Sequence, residues 1–174
     1  MKIFCYGAGT TLEDIGWQVY LGLVALLAGS AFFSASETAF ATVNTIRLKN
    51  YVDAGDKKAA MALKIAEMYE KTLSSILIGN NLVNIAISSI AAVLFTSWMG
   101  NAGTWVSTVV VTIVVLIFGE ILPKTFAKEH SEKVVLGVCG VLLAFIKVLT
   151  PVSFLFLKMQ HGFINLFKGE KKQP

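Results

Sequence analysis

Long stretches free of charge alternate along this chain with shorter stretches in which apolar and charged residues interleave. The first uncharged run is Ile15 to Ser36, 22 residues. Hydrocarbon about 30 Å thick needs roughly 20 helical residues, so this run spans a bilayer alone. The apolar pattern continues past Glu37 through Ala39, Phe40, Ala41, Val43 and Ile46. The first helix is therefore expected over about 15–43 and is long, tilted or broken. The second run, Thr72 to Gly119, holds 48 residues without a formal charge. That is too long for one helix and suits two. Trp98-Met99-Gly100-Asn101-Ala102-Gly103-Thr104 divides it, because Gly and Asn favour a turn and Trp favours the membrane interface. The pattern predicts a second span at about 73–97 and a third at about 104–122.

Segment 44–71 interleaves charges with Ile46, Leu48, Tyr51, Val52, Met61, Leu63, Ile65 and Met68. It reads as one or two short amphipathic helices at the membrane surface. Asp53-Ala54-Gly55-Asp56 is the expected turn between them. Beyond the third span, Val134 to Ile146 gives only 13 uncharged residues before Lys147, with Pro151 to follow. A fourth span over 134–157 would carry Lys147 inside it. The expectation is instead for apolar helices over about 129–168 that lie in the interface or pack beside the bundle. The fold class is all-α membrane protein, one domain over 1–174, with three transmembrane helices and interfacial juxtamembrane helices.

Composition agrees with this pattern. The chain is 55% hydrophobic and 15% charged, with a mean hydropathy of +0.69. A soluble domain is usually about a quarter charged, so a water-soluble enzyme is excluded as the default. Cys5 and Cys139 are the only cysteines, too few for a disulfide scaffold. The two Cys and two His lack zinc-site spacing. Fourteen of the fifteen Lys and Arg fall on one side of the expected spans, with Lys2 alone before the first. The positive-inside rule then places the N-terminus outside and the C-terminus in the cytoplasm of a plasma-membrane protein. The net charge of +4 reports this topology rather than nucleic-acid binding. Glu13 and Asp14 precede the first apolar run, which has no basic leader and does not read as a signal peptide.

Polar groups in hydrocarbon are costly unless satisfied, so those inside the spans carry the functional argument. Ser30 and Ser34 are four apart on one helix face, and Glu37 falls near the same face. Serines also bond back to their own helix and aid packing, and for serines alone that reading is favoured. In the second span Asn80 and Asn84 share a face that Ser88 extends, while Asn81 points elsewhere. An Asn amide offers a carbonyl oxygen to a cation and an NH2 to a neighbour. Interhelical hydrogen bonding is the equal alternative. In the third span, Gly119-Glu120-Ile121-Leu122-Pro123-Lys124 ends the apolar run. Pro123 cannot donate its backbone N–H and clashes with the carbonyl of Gly119, which is expected to leave the helical ladder beside Glu120. Such a break suits a cation site where it lines a cavity. Otherwise Glu120 snorkels or pairs with Lys124. All these donors are oxygens, which suits hard cations such as Mg²⁺, Ca²⁺ or Na⁺ rather than Zn²⁺ or Cu⁺.

Three motifs, Ser30 to Ala39 (SAFFSASETA), Gly79 to Asn84 (GNNLVN) and Gly119 to Lys124 (GEILPK), make the chain resemble the membrane domain of the CorC/CNNM family of magnesium transporters, also called hemolysin-like CBS-domain proteins. The resemblance covers most of residues 15–130. It implies three transmembrane helices, a belt of juxtamembrane helices and a homodimer in the lipid bilayer. It implies Mg²⁺ as the transported ion, bound dehydrated, with Na⁺ as the proposed coupling ion. By position, Ser30, Ser34, Asn84, Gly119 and Glu120 would line the metal site, with Asn80 supporting or completing it. Pro123 and Glu37 would give structural support. Full-length members carry cytosolic CBS domains that bind ATP. The stretch from Lys168 to Pro174 holds none, so an isolated membrane domain or a short member is expected. The competing class is a non-transporting membrane anchor or sensor that dimerises and holds a cytosolic partner. No Ser–His or paired-Asp arrangement supports an intramembrane enzyme.

Overall fold

The computed structural model describes residues 16–167, with side chains to residue 149. Residue 15 of the first expected span, residue 168 of the last interfacial stretch, and the side chains of Cys5 and His161 lie outside the described residues. The fold is all-α. Helices α1 (Trp17–Thr42), α2 (Thr45–Asp53), α3 (Lys57–Glu67), α4 (Tyr69–Met99) and α5 (Asn101–Val114) are followed by a π-helical segment, Val115–Ile121, then α6 (Leu122–Glu129) and α7 (Ser131–Phe167). Among the described residues, three helices are long and apolar enough to cross a membrane: Trp17–Thr42, Tyr69–Met99 and the continuous Asn101–Glu129.

Helix α1 runs unbroken through Glu37 and stops where Val43 turns extended. Its C-terminal half is packed, with Ser30, Phe33, Ser34, Ser36, Ala39 and Phe40 buried. Its N-terminal half leaves Leu21 and Val24 exposed. In a bilayer that exposure faces lipid and carries no desolvation penalty. The surface helices start on side-chain caps. Asn44 Oδ1 accepts from the amides of Ile46 (3.0 Å) and Arg47 (3.2 Å), and Asp56 Oδ1 from those of Lys58 (2.7 Å) and Ala59 (3.3 Å). Each cap contributes about 1 kcal/mol by satisfying amides that the first turn leaves free. Gly55, at φ 91°, makes the turn between α2 and α3.

The core lies at the C-terminal end of α1, where Phe33, Phe40, Leu48, Ile65, Ile76, Val135, Cys139, Leu142 and Ile146 cluster. Thr72 Oγ1 donates to the Ile65 carbonyl at 2.9 Å and so ties the start of α4 to the end of α3. From α7, Val135, Cys139, Leu142 and Ile146 recur at helical spacing and supply its buried stripe. The 129–168 region thus differs from the expected set of helices: after α6 it is one helix that continues through Pro151 and packs beside α1, α3 and α4.

The connection between the second and third spans is tighter than the seven residues expected. Helix α4 runs to Met99 and α5 starts at Asn101, with Gly100 alone between them at φ 61°. Gly103 then sits directly on the α4 backbone; a Cβ there would fall 2.1 Å from the Phe95 carbonyl oxygen. The third span also differs from expectation. No chain break precedes Pro123. The helix widens instead into the π segment, in which the Leu122 amide reaches the Ile117 carbonyl, and Pro123 occupies the first turn of α6. Within this continuous helix Pro123 offers no N–H to the carbonyls before it, and the widened turn stands where that bond is missing.

Candidate cation site

The α1–α4 crossing is built from small and polar residues. Ser30 is fully buried on α1. Its hydroxyl lies 2.8 Å from Asn84 Oδ1, to which it donates, and 3.3 Å from Asn80 Oδ1. Asn80 and Asn84 are one turn apart on α4, so both amides address the same hydroxyl. The third span closes on this cluster at Gly119. A Cβ there would lie 2.7 Å from Ser30 Oγ, so only a residue without a side chain lets the π segment come this near. Four of the six expected metal-site residues, Ser30, Asn80, Asn84 and Gly119, therefore meet at one point between three helices.

Glu120 stands beside this point. With Asn84, Ser88, Val111, Thr112, Val115 and Leu116 it lines a cleft of about 220 Å³ between α4 and the third span. Its carboxylate makes no hydrogen bond or ion pair among the described residues. Lys124, the alternative partner for Glu120, instead pairs with Glu37 at 3.1 Å. Ser34, one turn further along α1 than Ser30, is fully buried and its hydroxyl has no hydrogen-bond partner among the described residues. It makes no hydrogen bond to the Ser30–Asn84 cluster and is not among the residues that line the cleft. An unpaired buried hydroxyl costs about 1–3 kcal/mol.

Thr112 is not among the residues expected from the sequence, and Lys124 is expected there as a partner for Glu120 rather than for Glu37. Thr112, Leu116 and Glu120 recur every four residues, and that spacing is the available signal for the cleft wall. The Glu37–Lys124 pairing has no such signal, because Glu37 lies on another helix and only folding brings the two together. Several hydroxyls noted as polar are internally satisfied: Ser36 donates to the Phe32 carbonyl at 2.7 Å and Ser88 to that of Asn84 at 2.9 Å. The Ser88 bond occupies the Asn84 main-chain oxygen, while the Asn84 side chain accepts from Ser30.

Electrostatics keep the site an oxygen site. Cys139, buried in α7, donates weakly to the Leu136 and Lys58 carbonyls, at 3.4 and 3.7 Å. Burial pushes its thiol pKa up, outweighing the nearby main-chain bonds and Lys58. It is a packed thiol rather than a thiolate ligand. No group of three or more His, Cys, Asp or Glu side chains clusters among the described residues. The polar cluster consists of neutral oxygens and one free carboxylate.

A helical membrane domain with an oxygen-lined crossing defines the class: an integral membrane protein whose polar chemistry is held between spans. Residues 21–174 match the Cyclin M transmembrane N-terminal domain, and the chain belongs to that CNNM family. It is 40% identical over 158 residues to a UPF0053 protein of Haemophilus influenzae, covering 89% of this chain and 38% of the relative. It is 42% identical over 105 residues to the UPF0053 inner membrane protein YfjD of Escherichia coli, covering 60% of this chain and 24% of the relative. A Haemophilus influenzae protein named as a polyamine export protein is 26% identical over 165 residues, covering 87% of this chain and 38% of that one. The chain thus spans well under half the length of these relatives.

Proposed function

We propose that this domain carries Mg²⁺ across the membrane, with the ion held at the crossing of α1, α4 and the π segment. The observation that carries the reading is the convergence of Ser30, Asn80 and Asn84 oxygens against Gly119, beside the unpaired Glu120 carboxylate. Neutral oxygens and one carboxylate suit a hard cation that must also leave. A more acidic cage would hold it. The cleft volume of 220 Å³ is about seven times the roughly 30 Å³ share of one water in the liquid. Mg²⁺ sheds water reluctantly, so that space suits stepwise exchange of water for Asn84 and Glu120 oxygens on the way to a dehydrated ion. The free Ser34 hydroxyl supplies a further donor on the inner side. Coupling to Na⁺, a homodimer, an outside N-terminus, a plasma-membrane setting and control by CBS domains in longer relatives belong to this same reading.

The polyamine export relative favours a second reading, because a carboxylate in a polar cleft also accepts an ammonium group. Flux into proteoliposomes separates the two, and both from a non-transporting anchor. Mg²⁺ uptake is expected in the wild type, with Asn84→Ala and Glu120→Gln each lowering it and weakening Mg²⁺-dependent thermal stabilisation. Equal Mg²⁺ binding by all three proteins would refute the site. Spermidine flux without Mg²⁺ flux would select the second reading, and no flux of either would select the anchor.

A further inference from the structure

From the Glu37–Lys124 ion pair we infer a cation-displaceable latch between α1 and α6, with Lys124 holding the carboxylate nearest the site's inner end until an arriving metal competes for it. The inference rests on the proposed metal site and adds an entry control to it.

The geometry starts from the register of α1 and the third span. Ser30 meets Gly119, and further along both helices Glu37 meets Lys124, so the two elements run in the same direction. Ser30, Ser34 and Glu37 lie on one face of α1. That face therefore passes from the hydroxyl at the crossing, through the buried unpaired Ser34 hydroxyl, to the ion pair. Anything moving along this seam from the inner end meets Glu37 first.

The pair is formed to yield. The side chains of Lys124 and Glu37 are 40% and 29% exposed, so water reaches both and the bond is a weak one. A Lys ammonium is a point charge on a flexible stem, which holds one carboxylate without the two-pronged geometry of Arg. A divalent ion brings twice its charge to the same oxygen atoms. The local backbone also permits movement. Lys124 follows Pro123, which has no N–H to tie the first turn of α6 to the helix before it, and the π segment upstream is already widened. Release of Lys124 frees α6 from α1 at that level and leaves Glu37 facing the seam. Re-pairing returns an internal cation to the carboxylate when the metal has left, so the inner end is not left with an uncompensated charge. Arg47–Glu132, the other ion pair among the described residues, joins α2 to α7 and lies off this seam.

The test measures Lys124 itself. Wild type, Glu37→Gln and Lys124→Arg are reconstituted in lipid nanodiscs. Wild type and Glu37→Gln are treated briefly with a water-soluble acetylating ester, with and without MgCl2, and the acetylated fraction of Lys124 is read by peptide mass spectrometry against Lys128 as an internal control. Thermal stabilisation by MgCl2 is read on untreated samples of all three proteins. In metal-free buffer, Lys124 of the wild type is expected to react about two- to fivefold more slowly than in Glu37→Gln, the range for a partly exposed ion pair. MgCl2 is expected to raise the wild-type rate toward the Glu37→Gln rate and to leave that variant's rate unchanged. Lys124→Arg, with a firmer partner for Glu37, is expected to need more MgCl2 for the same stabilisation. Equal Lys124 rates in wild type and Glu37→Gln overturn the latch. So does Mg²⁺ stabilisation of the wild type with an unchanged Lys124 rate, a result that leaves the metal site standing. Absence of any Mg²⁺ stabilisation removes the metal site and the latch together.

Discussion

Glycine brings two helices together at two places in this molecule, and the results differ. At Gly103 the α5 backbone lies against the α4 backbone, and the nearest atoms to a Cβ are the Phe95 carbonyl and the Thr96 amide nitrogen. At Gly119 the nearest atom is the Ser30 hydroxyl oxygen, which is itself bonded to Asn84. The first approach seals a turn and is made of backbone atoms. The hydroxyls beside it, Thr96 and Thr104, lie 3.2 Å apart and bond to each other. The second approach encloses oxygens whose lone pairs are not exhausted, because Asn84 Oδ1 and Ser30 Oγ can each accept again. The same small residue makes a rigid hairpin in one place and a polar chamber in the other. What stands opposite the glycine decides which.

That contrast can be broken at its strongest point. Gly103→Ala is expected to destabilise the domain by about 3 kcal/mol or more, since backbone cannot move aside as a side chain does. The loss is to be read as the midpoint of thermal unfolding in detergent, while any folded fraction keeps its Mg²⁺ response. Gly79→Ala comes next. Its Cβ would lie 2.7–2.8 Å from the Phe33 and Phe145 rings, whose centroids are 4.7 Å apart. Repacking two rings is expected to cost about 1–3 kcal/mol, again by thermal unfolding. Gly119→Ala sharpens the comparison from the other side. Ser30 can rotate away, so the expected stability loss is only about 1 kcal/mol, but Mg²⁺ stabilisation is expected to vanish because the Ser30 hydroxyl has turned from Asn84. A Gly119→Ala protein that still responds to Mg²⁺ as the wild type does would make the second approach no different in kind from the first. The smallest effect is expected at Thr108→Ala, within about 0.5 kcal/mol and with unchanged Mg²⁺ response, because its hydroxyl only bonds back to its own exposed helix.

The sequence-level reading and the structure part company at particular residues for physical reasons. The turn at Asp53-Ala54-Gly55-Asp56 is legible in the sequence because a positive-φ turn is decided within a few residues. Pro123 was legible as a disturbance. Whether a helix answers a proline by breaking or by widening depends on its neighbours, and here α1 and α4 hold both sides of the third span. The single helix over Ser131–Phe167 was read as several pieces because Lys147 and Pro151 interrupt its apolar run. Its stripe from Val135 to Ile146 finds a partner only once α1, α3 and α4 are assembled.

By itself the sequence determined the class of this protein. Uncharged runs of spanning length leave the backbone no option in hydrocarbon except to bond within helices, and the three polar motifs declare that oxygen atoms lie inside them. Tertiary structure alone decided which oxygens meet. Ser30, Asn84 and Gly119 come from three helices, and nothing local to any of them specifies the distance to the others. Packing did that, and packing also gave Lys124 to Glu37 rather than to Glu120, leaving the Glu120 carboxylate unpaired in the cleft wall.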